Sequence, residues 1–465
     1  MQITDLKNKK ITVMGLGLHG GGVGTVRFLS EAGAKITVTD LKSKEELASS
    51  LEKLKDLKNI SYVFQQHRPE DFVSADMIIK TPPVPWDNKQ IKLALENKIP
   101  VEVDSSLFFK LCKNQIVGVT GTKGKTTTAS LIYEILRVAG KNPIKVGIGQ
   151  TSVLDKLKEL KDDTIVIFEL SSWRLSALRR AKISPKISVF TNIYPDHLNY
   201  YKSMEDYIAD KKNIFLFQNK EDTCVINGDN EDMKNFEVEI KSHLIKFSKD
   251  KILEGDGVYI ENESIFFNNG IDEKKIIDLE EIKLIGKHNR ANIMAAIAVA
   301  VSMGIKIEII KKAIIEFSGV AHRLEFVREI GGVKYINDTA ATTPEAGISA
   351  LNSFLEPIIL ICGGSNKNLN MAEFAKTICK KVKGVVFLKG QSTDEIITEM
   401  KKTDNCLDLE NLKVAESMEK AVELAMALAE KGDIILLSPG SASFGLFTNE
   451  FDRGDKFREV VRMIK

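Results

Sequence analysis

Several things are scarce in this chain, and each scarcity excludes a class of protein. Cysteine occurs five times in 465 residues, at 112, 224, 362, 379 and 406, widely scattered and never as a C-x-x-C pair. That pattern fits a reducing compartment and argues against structural zinc or a disulfide framework. No window approaches the ~18 uninterrupted apolar residues of a membrane span. The opening MQITDLKNKKITVMG has neither an apolar signal core nor a small-residue cleavage site, so a cytoplasmic protein free of membrane is expected. A dominant charge is lacking too. Lys and Arg number 66 against 64 Asp and Glu, and a net +2 gives no global attraction to nucleic acid or anionic lipid. There is no short-period repeat and no low-complexity tract.

What is present is an apolar fraction of 43%, ample for several cores. At roughly 150 residues per domain the length suggests about three domains. Short β-branched runs alternate with helical periods almost from end to end. Strands are expected at 11–15, 35–40, 76–81, 115–121, 164–170, 186–192, 357–364, 384–390 and 432–440. Most are continuously apolar, the mark of strands covered on both faces in a parallel sheet. Helical segments at 125–139, 203–217, 289–303 and 416–431 fall between them. The fold class is therefore α/β, built from repeated βαβ units. The first block closes near IPVEVDSSLFF, before a strand that opens at Gln115. Residues 221–285 read as a small β-rich part. A helix pair over 289–317 ends at FSGVAHRLEFV, where a third α/β block begins.

The strand QIVGVT runs into GTKGKTTTASLIYEILRVAG. Strand, glycine loop, Lys-Thr and helix is an arrangement that wraps phosphates. Amides of Gly121, Thr122, Lys123 and Gly124 and the helix start at Lys125, Thr126 and Thr127 face the anion. Lys125 adds a point charge, and the Thr126 hydroxyl can reach Mg²⁺. The spacing is G-x-x-G-K-T, shorter than the usual G-x4-G-K-[ST], and an ordinary strand-to-helix turn with a surface lysine is the plainer alternative.

Three further residues narrow the chemistry. Glu169 ends the apolar strand TIVIFE, where ligands of open α/β sheets collect; it is a metal ligand or a helix-start charge. His197, in TNIYPDHLNYY, follows another such strand, and alone would pass for a solvated loop histidine. Lys211 falls on the apolar stripe of Met204, Tyr207, Ile208, Ile214 and Phe215, whereas Lys212 does not. A lysine there either snorkels or is held neutral for carbamylation by CO₂. Only about 0.04% of an ordinary lysine is neutral at pH 7, and a downward shift of about 3 units would make that nearly a third.

Together these motifs resemble the Mur ligase family, the ATP-dependent amide ligases of peptidoglycan precursor synthesis. The matching strings are GTKGKTTT, FELSSWRL, TNIYPDHLNYY, YIADKKNIF, IGKHNRANIMAA, GVAHRLE, INDTAATTPEA, ICGGSNK and LSPGSASFGLFTNEFDRG, in family order over 115–455. FELSSWRL, INDTAATTPEA and SPGSASF most resemble the branch that adds D-glutamate to UDP-N-acetylmuramoyl-L-alanine. The resemblance implies three domains: a Rossmann-like UDP-binding domain over 1–103, a central ATP-binding domain over 104–319, and a Rossmann-like amino-acid-binding domain over 320–465. It implies ATP and two Mg²⁺ ions, with Thr126, Glu169, His197 and carbamylated Lys211 as metal ligands. It also implies ATP contacts from Asn289, Arg323 and Asp338, and a glutamate pocket at Thr342, Lys367, Ser443 and Phe444. His322 would sit at a hinge. A monomer with no nucleic-acid partner is expected.

The chain departs from the family pattern at several points. Ala340 replaces the usual lysine of the Asn-Asp-Ser motif. Asn366 stands beside Lys367, Glu450 takes an apolar position, and Thr81-Pro82-Pro83 replaces S-P-G. Gln150 stands where the family has Asn. These changes bear on the acceptor and the nucleotide sugar. A sister ligase adding L-glutamate or another amino acid is the near alternative.

The first glycine motif, Gly15-Leu16-Gly17-Leu18-His19-Gly20, lies between a strand and a helix, and Asp40 ends the next strand. Alone it reads as NAD binding, so a dehydrogenase is a rival, as is a P-loop switch. The resemblance prefers a UDP diphosphate there, with Gly15, Leu18, His19 and Gln150 in contact and Asp40 at the uracil or ribose edge. Backbone donors at a helix start cannot tell one pyrophosphate from another.

Overall fold

The continuous apolar runs become the central strands of three sheets. The computed structural model describes every residue except 19, 149–151, 197–199, 287, 367–368, 405, 407–411 and 465. Contacts gather the chain into two units, residues 1–282 with 291–315, and residues 283–290 with 316–465. Two of the sheets belong to the first unit and one to the second. Among the described residues no helix is long and apolar enough to cross a membrane.

The N-terminal sheet is wholly parallel, in the spatial order Ile60–Phe64, Lys35–Asp40, Lys10–Met14, Met77–Lys80, Val101–Glu102. The chain winds outward on one side of Lys10–Met14 and then restarts at Met77–Lys80. That reversal opens a crevice at the strands' C-terminal ends, where open α/β sheets bind ligands.

The central sheet has nine strands. Its parallel heart is Ile187–Phe190, Ile116–Thr120, Thr164–Glu169 and Asn142–Val146, in that order. Ile116–Thr120 is buried at every position, as its continuous apolar run requires. Asn142–Val146 contains Pro143 and escapes sequence reading for that reason, since proline cannot donate to a ladder; it is tolerated because the strand is at the edge. The β-rich segment does not form a small separate part. Thr223–Asn227, His243–Ser248 and Asp256–Glu261 extend the same sheet in parallel, and Ser264–Asn269 and Glu273–Asp278 finish it antiparallel. Their charged, Gly- and Asn-rich sequences reflect an exposed flank of one large sheet.

The helix after the phosphate loop, Lys125–Val138, buries Leu131, Ile132, Ile135 and Leu136 on one stripe. Each such side chain contributes about 1.5–3 kcal/mol on burial. The expected helix 203–217 is shorter, Met204–Lys212. Ser203 caps it by accepting from the Asp206 amide at 3.2 Å. Beyond Lys212 the bonds tighten to Ile214 N–H on Lys211 O and Phe215 N–H on Lys212 O, which ends the helix while keeping Ile214 and Phe215 buried.

The C-terminal sheet runs Glu325–Ile330, Val333–Asn337, Ile434–Leu437, Ile358–Cys362, Val382–Leu388, Lys413–Ala415, parallel except for the first pair. That first pair is a hairpin closed by Gly331 and Gly332, both at positive φ (59° and 80°), which the two-residue turn demands. The Gly-Gly signal stands in the sequence, but the strands beside it are charged and do not read as core.

The scatter of the cysteines argues against a disulfide framework, and the structure corrects that expectation for one pair. Cys379, on the helix Ala372–Lys381, is disulfide-bonded to Cys406, their Cα atoms 4.5 Å apart. A separation of 27 residues hid this pair among scattered cysteines. Cys112, Cys224 and Cys362 are free. A thiol titration of the denatured, unreduced protein should therefore count three of the five thiols; five would contradict the pairing.

Candidate active site

Three neighbouring strands end at the glycine loop: Thr191, just past Ile187–Phe190, then Thr120, then Glu169, in that order across the sheet. Gly121 has φ +148°, and a Cβ on it would lie 1.9 Å from Thr191 Oγ1. Gly124, at φ +83°, caps the helix, and its Cβ would fall 2.2 Å from Asn292 Oδ1. Both positions exclude side chains, and the loop is strapped from one side. The Thr122 amide donates to Asn192 O (3.0 Å) and the Lys123 amide to Asn192 Oδ1 (2.8 Å). Thr191 Oγ1 donates to Lys123 O at 2.6 Å. The Lys125 ammonium folds back onto the carbonyls of Gly121 and Thr122, both at 3.0 Å.

The Thr126 hydroxyl donates to Glu169 Oε2 at 2.8 Å. Two hard oxygens thus adjoin the start of the helix Lys125–Val138. This donor set fits Mg²⁺, which takes most of its ligands from water and phosphate and needs few from protein. Among the described residues no three His, Cys, Asp or Glu side chains converge as an all-protein metal cage. His197 lies outside the described residues.

Lys211 is buried, at 2% exposure, as its place on the apolar stripe predicts. Its Nζ donates to Gly121 O (2.9 Å) and Thr120 Oγ1 (3.4 Å) and sits 4.9 Å from the centre of the Tyr207 ring. Burial holds its pKa well below the ordinary lysine value and the nearby Lys125 pushes the same way, while Asp196 and Glu169 oppose. Lys212, one residue on, is partly exposed and paired with Glu239. Burial thus favours the uncharged form of the Lys211 amine more than it is favoured in an exposed lysine. Tyr207, Asn192 and Asn292 were not singled out from sequence, although all three lie in the matching motifs or on the Lys211 stripe. Their types carry no signal of chemistry, only of packing.

In the N-terminal crevice a cavity of about 410 Å³ is lined by Gly15, Leu18, Asp40, Thr81, Pro82 and Arg174, among others. Gly15 is at φ +92°, and its Cβ would meet Thr81 Oγ1 at 2.6 Å. Asp40 Oδ2 accepts the amides of Leu16 (2.8 Å) and Gly17 (3.1 Å), and Oδ1 that of Lys42 (3.0 Å). Its carboxylate shapes the glycine loop, a role the sequence did not indicate. His19 and Gln150 lie outside the described residues.

In the second unit, Asp338 follows the strand Val333–Asn337. It accepts from the Leu324 amide (3.1 Å) and the Ser438 hydroxyl (3.0 Å). Burial pushes its carboxyl up to about 7. His322, at φ +68°, contacts Asn337 Nδ2 through Nδ1 (3.2 Å); the neighbouring Arg323 is exposed. Asn289 is buried and donates to Ile285 O at 2.6 Å. Thr342 is half-buried, Ser443 buried, and Phe444 exposed at 56%. Lys367 lies outside the described residues. Arg453, unmarked by sequence reading, is fully buried. It ties Thr339 to Ser441 through Nε on Thr339 Oγ1 (2.9 Å) and the two terminal nitrogens on Thr339 O (3.0 Å) and Ser441 O (3.3 Å). Ser443 and Thr342 thus stand on two loops joined by one guanidinium.

Comparison with known proteins agrees along the whole chain. Residues 9–102 match the family model described as Mur ligase MurD-like, N-terminal domain; residues 119–300 match Mur ligase middle domain; residues 322–440 match Mur ligase, glutamate ligase domain. The chain is 39% identical to the UDP-N-acetylmuramoylalanine--D-glutamate ligase of a Roseiflexus species, over 98% of this chain and 99% of that one. It is 38% identical to the protein of the same name from Clostridioides difficile, over 99% and 100%. Among solved structures, the UDP-N-acetylmuramate-alanine ligase of Thermotoga maritima superposes with a TM-score of 0.59 at 21% identity, covering 98% of this chain and 100% of that one. That likeness is one of fold.

Asp338 generates a pH prediction. An unfolded carboxyl titrates near ~4, so between about pH 4 and 7 the folded unit holds a proton that the unfolded chain has released. The stability from this group is full below the unfolded value and is lost as pH rises through about 7. Asp338→Asn can keep both hydrogen bonds without the charge. Its melting temperature should exceed the wild type's by more at about pH 8 than at about pH 5; a gap that does not change with pH would contradict the burial argument.

Proposed function

We propose a function from one premise: the chain belongs to the Mur ligase family. It joins D-glutamate to UDP-N-acetylmuramoyl-L-alanine at the expense of ATP, making an amide for peptidoglycan precursor synthesis. The reading is supported by relatives of that name along the full chain. The observation that carries the chemistry is the crowding of Lys125, Lys211, Thr126 and Glu169 around one glycine loop. The family is ATP-dependent and requires magnesium. In this chain we assign 1–103 to the nucleotide sugar, 104–319 to ATP and 320–465 to the amino acid, acting as a cytoplasmic monomer.

The reaction has two steps. The free carboxylate of the alanyl group attacks the γ-phosphorus of ATP, giving an acyl phosphate and ADP. The glutamate amine then attacks the acyl carbon; the amide C–N bond forms, the C–O bond to phosphate breaks, and one proton is released. The chain supplies positioning and charge balance, the main requirements of phosphoryl transfer. Amides of Gly121 to Thr127 receive the phosphates, and Lys125 turns from the loop carbonyls to the transferred group. Thr126, Glu169 and His197, with Lys211 as its carbamate, would hold magnesium at two sites, and magnesium bound there would supply charge neutralisation for the transferred phosphate. Asn289, Arg323 and Asp338 take the rest of ATP. Gly15, Leu18, His19, Asp40 and Gln150 take the nucleotide sugar. Thr342, Lys367, Ser443 and Phe444 receive the amino acid. Asp40 serves through the glycine loop that it shapes.

Phosphate release should require ATP, UDP-N-acetylmuramoyl-L-alanine and D-glutamate together. L-glutamate or a diamino acid working better would replace this reading by a sister ligase. Lys125→Ala should abolish release, and an unchanged rate would remove the phosphate-loop assignment. Lys211→Ala should lose at least about 100-fold in turnover. Mass spectrometry of gently handled wild type should find a carboxyl group added at Lys211; full activity of the alanine variant would take the residue out of the mechanism.

A further inference from the structure

A second lysine is buried in the first unit, and the proposed mechanism gives it no task. Lys80 ends the strand Met77–Lys80 at the reversal point of the N-terminal sheet, is 1% exposed, and lines the 410 Å³ cavity with Gly15, Leu16 and Gly17. Its Nζ donates to Val84 O at 2.8 Å and Pro82 O at 3.4 Å. An ammonium has three donors, so one remains for a ligand. The ammonium lies over Trp86, whose ring centre is 4.4 Å from Lys80 Nζ and 4.2 Å from the Arg180 guanidinium. Trp86 Nε1 in turn donates to Ser176 Oγ at 2.8 Å. The charge is held on the cleft wall and cannot swing into solvent.

The acids around it are already engaged. Asp104 pairs with Arg174 at 3.0 Å, Asp210 accepts the Tyr201 hydroxyl at 3.1 Å, and Asp40 accepts three loop amides. His67, also on the cavity wall, shares a hydrogen with Thr39 Oγ1 at 2.7 Å. Among the described residues no carboxylate lies within ion-pair distance of Lys80 Nζ. A buried cation without a counter-ion is costly and is retained where an anion arrives. Beside it stands a helix N-terminus, at Gly21–Glu31, that favours the same sign.

We propose that Lys80 is the cation of an anion subsite in this cleft and pairs with the diphosphate of the nucleotide sugar. This rests on the function proposed above for the nature of the ligand. Thr81-Pro82-Pro83 puts one proline, Pro83, where glycine is usual, and Lys80 donates to the carbonyls of Pro82 and Val84 in that turn, so wall and charge are set together. Burial lowers the Lys80 pKa to about 7, with Arg180 pushing the same way and Asp104 and Asp210 opposing. An arriving diphosphate favours the protonated form, so binding near neutral pH takes up a proton.

Calorimetric titration of the full chain tests this with UDP, uridine and inorganic pyrophosphate, in buffers of different ionisation enthalpy. Lys80→Met should weaken UDP at least about 10-fold and reduce proton uptake, while changing uridine affinity less than about twofold. Lys80→Arg should recover UDP affinity over Lys80→Met. Equal UDP affinity in wild type and Lys80→Met overturns the proposal. So does an equal loss for uridine and UDP, which would make Lys80 merely structural. If wild type binds neither uridine nor UDP, yet pyrophosphate binding depends on Lys80, the anion subsite stands and the nucleotide-sugar reading falls.

Discussion

A side chain at Gly121 is sterically forbidden, and much of the site follows from that fact. The backbone there passes so close to Thr191 that a Cβ would lie 1.9 Å from its hydroxyl. The Gly121 carbonyl can then be reached from both sides, by Lys125 at 3.0 Å and by Lys211 at 2.9 Å. Two ammonium groups sharing one acceptor repel, and the buried one pays the larger desolvation cost. Lys211 is consequently the amine driven toward neutrality, which is the state that reacts with CO₂. The loop's shape and the lysine's chemistry are thus one constraint.

The N-terminal crevice solves a related problem by different means. There the glycine loop is shaped by a carboxylate, Asp40, and the cation is Lys80, lying over an aromatic ring. In each site a buried lysine touches backbone carbonyls near a glycine turn. They differ in company: Lys211 stands beside another cation, Lys80 beside acids that are otherwise occupied. The same residue type is pressed toward its neutral form by a neighbouring cation in one place and, among the described residues, lacks a paired carboxylate in the other.

Sequence made the frame legible wherever burial was two-sided. The strands Ile116–Thr120, Thr164–Glu169, Ile358–Cys362 and Ile434–Leu437 have apolar, buried middles and were placed within a few residues. Edge and flank strands were missed or misread because their exposed faces carry charge, or proline in the case of Asn142–Val146. Lys211 was legible because helical period put a charge on an apolar stripe. Lys80 and Arg453 were not, since each sits at a strand or helix end where period says nothing about burial. The Cys379–Cys406 pair depends on two segments meeting in space, and spacing along the chain carries no trace of it.

The central claim is that phosphate passes from ATP to a carboxylate before the amide forms. The direct measurement is isotope transfer: UDP-N-acetylmuramoyl-L-alanine carrying oxygen-18 in its free carboxylate is turned over with Mg-ATP and D-glutamate, and the released phosphate is weighed. The account predicts that each phosphate carries one oxygen from the labelled carboxylate. Phosphate free of label, formed alongside the amide, would contradict it.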